Sequence, residues 1–410
     1  MTKARTRVGP TGTPTSDTQP LALDIDALID DKATGIIVCC GSGGVGKTTT
    51  SAALALRAAE RGRKVVVLTI DPARRLAQSM GIEALDNTPR PVADVSWMDG
   101  FGAGGRGGPT EGVTPRLDAM MLDMKRTFDE VVESQASPEK AKQILENPFY
   151  ITLSSSFAGT QEYMAMEKLG QIHAQSGPES TGGTYDLIIV DTPPSRSALD
   201  FLDAPERLSS FLDGRFIRLM LAPARGPARL MTAGLGLITN ALTKILGGQV
   251  LGDLQTFVSA LDTVFGGFRQ RAQKTYALLQ DDGTAFLVVA APEPDALREA
   301  AYFVERLSED RMPLAGLIVN RASPAPSGQL SADESMTAAE RLRRDDPASL
   351  TAGLLRLHAD QMRMVERESR LRTRFTAAHP QVATGVVPAL AGDVHDLAGL
   401  RRVAQLLAGS

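Results

Sequence analysis

The chain has 410 residues, 43% of them hydrophobic and 22% charged, a balance that suits a globular protein and excludes a disordered one. The formal net charge of −4 lacks the basic excess of a nucleic-acid binder. The two cysteines, Cys39 and Cys40, are adjacent, so they point to opposite faces of a strand and do not pair. No CxxC occurs, so no zinc clasp is expected from this chain's cysteines. They read as reduced core thiols of a cytosolic protein.

In chain order, residues 1–34 read as a flexible polar tail and lead-in, without the apolar core of a signal peptide. The run IIVCC at 36–40 is a strand that ends in glycines, and 47–61 repeats alanine and leucine at helical spacing. KVVVLTI at 64–70 is a second strand, ending at Asp71-Pro72. The Gly- and Pro-rich stretch 86–116 predicts a mobile loop, and 117–176 a helical insertion between strands. LIIV at 187–190 is a third strand, ending at Asp191-Thr192-Pro193, and 202–281 predicts a second helical insertion rich in Leu, Met and Phe. FLVVAA at 286–291, LAGLIV at 314–319 and VATGVV at 382–387 complete six strands, with a loop over 322–347 and a closing helix over 395–408. The runs are continuous rather than alternating, so both faces should be buried. This predicts an α/β fold: a mostly parallel sheet flanked by helices, with a helical insertion subdomain, in one domain spanning 35–410. In such sheets the ligand sits beyond the carboxyl ends of the strands. The most apolar long stretch, 230–250, carries Asn240, Lys244 and several glycines, and falls short of a membrane span.

The chemistry is carried by GSGGVGKT at Gly41–Thr48, a full G-x-x-x-x-G-K-[ST] match placed after a strand and opening a helix. The backbone amides of Gly43, Gly44, Val45 and Gly46 are expected to cradle phosphates, aided by the helix N-terminus. Lys47 should reach the β and γ phosphates, the Thr48 hydroxyl should ligate Mg²⁺, and Thr49 completes the binding run. ATP and Mg²⁺ are therefore the expected cofactors. Asp191, at a strand end, can hold a water on Mg²⁺ or cap the next helix. Asp71 can orient the attacking water or serve as a turn residue before Pro72.

The doubled glycine and threonine of GGVGKTT resemble the deviant P-loop group, and within it the anion-transporting ATPases: the arsenite-pump ATPases and those that target tail-anchored membrane proteins. TIDPARRLAQSMG at 69–81 is similar to that family's switch I, and DTPPSRSALDFL at 191–202 to its switch II. FAGTQEYMAMEKL at 157–169, APEPDALREA at 291–300, LIVNRASP at 317–324 and the closing VVPALAGDVHDLAGL also resemble family segments. The resemblance implies that Asp71 activates water, that Lys47 acts on the phosphates, and that Pro292 and Asn320 flank the adenine. It departs in three places. Ser42 stands where the group usually has a lysine that reaches a partner's phosphates. The zinc-binding CxxC of the eukaryotic targeting ATPases is absent. Arg74, Arg196 and Ser197 replace common switch residues, which suggests a divergent bacterial branch.

What the resemblance implies is hydrolysis coupled to opening and closing of a homodimer, or of a hetero-oligomer with a paralogous ATPase that supplies the cation missing at Ser42. A targeting factor ranks first, with 202–281 either lining a groove for apolar segments of membrane-protein clients or forming a helical subdomain whose apolar residues pack on each other. A subunit energising a membrane anion pump ranks second, then a positioning or partitioning ATPase, then a nucleotide-bound regulatory subunit with weak hydrolysis. The expected location is the cytoplasm or the membrane periphery, with no nucleic acid and no zinc.

Overall fold

The computed structural model describes residues 21–71, 75–93, 95, 116–148, 150–151, 154, 160–176, 183–193, 267–326 and 330–409. Its centre is one eight-stranded sheet. In chain order the strands are β1 (Ile36–Cys40), β2 (Lys64–Thr69), β3 (Arg90–Pro91), β4 (Arg116–Met121), β5 (Leu187–Asp191), β6 (Thr284–Ala290), β7 (Leu314–Ala322) and β8 (Thr384–Pro388). Across the sheet they lie in the order β3-β4-β2-β5-β1-β6-β7-β8. All neighbours pair in parallel except β3 with β4. All six expected strands are present, and the α/β class holds. β1, β5 and β6 are buried along their whole length, as strands covered on both faces must be. The edge strand β8 instead alternates buried and half-buried positions.

The helices are α1 (Ile25–Asp30), α2 (Lys47–Glu60), α3 (Arg75–Ser79), α4 (Met124–Gln135), α5 (Pro138–Leu145), α6 (Thr160–Gln175), α7 (Phe268–Leu279), α8 (Pro294–Glu309), α9 (Ala332–Asp345), α10 (Leu350–Ala378) and α11 (Leu397–Ala408). α2 is buried almost all round, between the sheet and α11. Alanine at positions 52, 53, 55, 58 and 59 lets the backbones come close. The two charged groups of its last turn are paired: Arg57 with Asp26 of α1, and Glu60 with Arg401 of α11. Among the described residues no helix is long and apolar enough to cross a membrane.

Three expectations change. The predicted insertion 117–176 opens with a strand, β4, zipped in parallel to β2. Its sequence RLDAMM is too short and mixed to separate from helix by period alone. The predicted loop 322–347 contains α9, which starts at a capping box in which Ser331 and Glu334 satisfy each other's backbone amides. Its high charge hid a helix that packs on α10 through small residues. The lead-in is not flexible over 21–34: Leu23, Ile25 and Ile29 join the core. The second insertion, 202–281, lies outside the described residues except for its last part, where α7 stands. Residues Pro72, Ala73, Arg74, Arg196 and Ser197 also lie outside them.

Arg63 fastens the lead-in to the sheet. It is 1% exposed and donates to the carbonyls of Ile29, Thr34 and Asp186 at 2.8, 2.8 and 2.6 Å. Its Nε also meets the Asp186 carboxylate at 2.7 Å. Removing one partner of such a pair leaves a charge and several carbonyls without compensation. Arg63→Met is therefore expected to lower stability by about 3–5 kcal/mol, measured by urea unfolding. An unchanged midpoint would contradict the assigned role.

Candidate functional site

Strand order brings the site together. β5 lies beside β1 with Asp191 opposite Cys39, and beside β2 with Asp191 opposite Thr69. The carboxyl ends of three neighbouring strands therefore hold the glycine loop, Asp191 and the Thr69–Asp71 turn within one cluster. β6 flanks β1 on the other side and delivers Pro292. β7 follows and delivers Asn320.

The loop between β1 and α2 depends on glycine at two close approaches. At Gly41 a Cβ would lie 2.1 Å from the Val289 carbonyl oxygen. Gly46 has φ of 93° and a Cβ there would lie 2.4 Å from the Asn320 amide nitrogen. Neither position admits a side chain. Lys47 follows, 5% exposed, its ammonium donating to the carbonyls of Gly41 and Ser42 at 2.9 and 2.8 Å. Burial lowers its pKa, opposed by the charges of Asp191 and Asp71.

Asp191 is the electrostatic centre. Its Oδ2 accepts from the Thr48 hydroxyl at 2.8 Å and from the Thr69 hydroxyl at 3.0 Å. Its Oδ1 is buried and has no partner among the described residues. Burial pushes its pKa up to about 6, against the pull of the two hydroxyls and of Lys47. A buried acceptor left unsatisfied carries a desolvation cost, and a metal-bound water would supply the missing donor. The residues present thus fit Mg²⁺ held by Thr48 directly and by Asp191 through water. Asp71 is half-buried. Its backbone N–H donates to the Thr69 hydroxyl at 3.2 Å, so Thr69 links the Asp71 turn to Asp191.

On the β7 side, a register shift after Val319 turns two side chains back on the loop. Asn320 donates to the Val45 carbonyl at 2.8 Å and Arg321 to the Gly44 carbonyl at 2.9 Å. Arg321 does so at φ of 60°, a conformation uncommon for an L residue and frequent at functional sites. Asn320 thus braces the glycine loop, a contact the sequence did not announce. Beside the loop, Pro292 and Glu293 line a cleft of about 390 Å³ together with Ser42, Gly43, Gly44 and Arg321. Glu368 of α10 lines it too and accepts from the backbone N–H and hydroxyl of Ser323 at 2.8 and 2.7 Å. Sequence reading missed Thr69, Arg321 and Glu368. The first two adjoin the motifs LTID and VNR, but Glu368 sits in mid-helix with no local signal. Cys39 and Cys40 are fully buried, and burial pushes both thiols up to about 12, so they stay protonated core residues.

The sequence profile of the anion-transporting ATPases matches residues 34–343. The chain is 25% identical over 332 residues to ATPase GET3 of Podospora anserina, covering 80% of this chain and 84% of that protein. It is 25% identical over 351 residues to ATPase GET3B of Arabidopsis thaliana, covering 80% and 74%. It is 24% identical over 305 residues to ATPase GET3 of Kluyveromyces lactis, covering 73% and 75%.

The buried carboxylate sets a pH signature. In the folded, nucleotide-free protein Asp191 keeps its proton up to about pH 6, while the unfolded chain releases it near the ordinary 3.8. Between these values the folded state binds more protons, so this group's contribution to stability falls as pH rises. At 1.36 kcal/mol per pH unit the loss is on the order of 3 kcal/mol. The stability of Asp191→Asn minus that of the parent should therefore grow from about pH 4 to about pH 6 and then level off. Urea unfolding across that range reads it, and a difference independent of pH would remove the buried-carboxylate reading.

Proposed function

Because this chain belongs to the anion-transporting ATPase family and is an ATP hydrolase, we propose that it hydrolyses MgATP at the Gly41–Thr49 loop and converts turnover into movement of a dimeric or mixed complex. The observation that supports this most is the Thr48–Asp191–Thr69 cluster with its one unpartnered carboxylate oxygen. Phosphoryl transfer demands positioning and charge stabilisation more than covalent chemistry by the protein. The backbone amides of Gly43, Gly44, Val45 and Gly46, with Thr49, hold the phosphates. Lys47 neutralises charge that develops on the transferred group. Thr48 and, through water, Asp191 would hold Mg²⁺, which would draw charge from the phosphate oxygens. Asp71 orients the attacking water and takes its proton. Pro292 and Asn320 border the adenine, and Asn320 does so while keeping the glycine loop in place.

The work driven is the handling of apolar segments of membrane proteins at the cytoplasmic side of the membrane. The support is kinship with proteins called ATPase GET3 and the many Leu, Met and Phe residues of 202–281. A second reading, energising a membrane anion pump, is favoured by the description of the family whose profile matches. In either case Ser42 leaves the site without the second-position lysine, so either the chain hydrolyses slowly by itself or a neighbouring subunit contributes the cation. Neither zinc nor nucleic acid has a part.

Lys47→Ala is expected to lower the rate of phosphate release by about 10³-fold or more, and normal turnover in that variant would defeat the assignment. Asp71→Asn should bind ATP with unchanged affinity by calorimetry and fail to turn it over. Pulled down with ATP from the native host, this trapped variant should carry helical membrane proteins. Recovery of a single membrane pump instead would favour the second reading.

A further inference from the structure

Beside Asn320 stands Arg321, near the end of β7 where the pairing with β8 shifts register. Its φ of 60° puts an L residue in the left-handed region, a conformation that costs energy and persists only where the surrounding fold imposes it. The turn lays the side chain along the glycine loop. One guanidinium nitrogen donates to the Gly44 carbonyl at 2.9 Å. Its Nε lies 3.9 Å from where a Cβ would stand on Gly46. The side chain therefore runs from Gly46 to Gly44, the stretch whose amides are assigned to the phosphates. Any neutral donor could satisfy one carbonyl. Arginine brings in addition a permanent charge and a fork of five N–H donors suited to phosphate oxygens, and the Gly44 bond uses one of them.

The charges nearby give that guanidinium a task. Glu293, Asp295, Glu299 and Glu368 line the cleft together with Ser42, Gly43 and Gly44, and Arg321 is the one cation among the described residues that line it. Phosphates arriving beside four carboxylates are repelled unless positive charge stands at the loop. Lys47 stands at the loop's first half, on the Gly41 and Ser42 carbonyls. Arg321 stands at its second half. Between them Ser42 contributes no charge.

We propose that Arg321 is a nucleotide-contacting residue of its own subunit's site: its guanidinium binds the phosphate chain of the ATP on the adjacent loop and supplies there the charge that Ser42 lacks. This rests on the reading of Gly41–Thr49 as the ATP site. It gives a third answer to the loss at Ser42, a cation from the same chain. The bond to the Gly44 carbonyl holds the guanidinium in place before nucleotide arrives, so little side-chain freedom is lost on binding.

Two substitutions in the full chain separate charge from bracing. Arg321→Gln keeps a donor for the Gly44 carbonyl and removes the charge, whereas Arg321→Lys keeps the charge. Arg321 is exposed, so both should fold, as read by circular dichroism. Turnover at saturating ATP should fall about 10²-fold in Arg321→Gln and about 10-fold in Arg321→Lys. Inorganic triphosphate, which carries no base, should inhibit the parent about 10-fold more tightly than Arg321→Gln. A glutamine variant as active as the parent, or equal inhibition of both by triphosphate, would reduce Arg321 to a brace of the loop and overturn the proposal while leaving the ATP-site reading intact. Mixing Arg321→Gln with Lys47→Ala tests the placement within one subunit. No assembly of the two then holds a complete site, and activity should stay at the mean of the two variants. A rise to roughly a quarter of the parent's would put the arginine across an interface and overturn the assignment. A parent that neither binds nor hydrolyses ATP would remove the ATP-site reading itself.

Discussion

Everything at the site turns on the Asp191 carboxylate, buried at the end of β5 with one oxygen satisfied and one not. Burying an ionised carboxylate is costly unless its oxygens are paired, and here two threonine hydroxyls and a nearby ammonium compensate only in part. An acceptor fixed in place and short of a donor would favour a metal-bound water, the role proposed for Asp191. Thr48 and Thr69, which compensate the charge, lie on α2 and β2, so the carboxylate also holds these two elements together. Thr69 extends that link to Asp71, whose backbone N–H donates to the threonine hydroxyl.

The glycine loop is held from the opposite side by β7. Asn320 and Arg321 grip consecutive carbonyls, Val45 and Gly44, Arg321 from a left-handed backbone conformation. Two residues further along the chain, Ser323 donates to Glu368 of α10.

Much of this was legible in the sequence because parallel strands and P-loops leave strong local signals. The apolar runs 36–40, 64–70 and 187–190 placed three site elements at the carboxyl ends of strands. GSGGVGKT named its own ligand class. What escaped depended on tertiary context. β4 carries a short mixed sequence that becomes a strand only beside β2. α9 looked like a loop because its exposed face is charged and its buried face is alanine and serine. Asn320 appeared as a contact for the base, whereas its clearest bond is to the loop it braces, and Glu368 matters only because the fold carries mid-helix to the cleft.

The most direct test of the central claim is a crystal structure of the Asp71→Asn variant with ATP and Mg²⁺. The account predicts phosphates within the Gly43–Thr49 amides, Mg²⁺ on the Thr48 hydroxyl, and a metal-bound water donating to the Asp191 oxygen that otherwise lacks a partner. A nucleotide bound elsewhere, or Mg²⁺ held without Thr48 and with no water on Asp191, would contradict it.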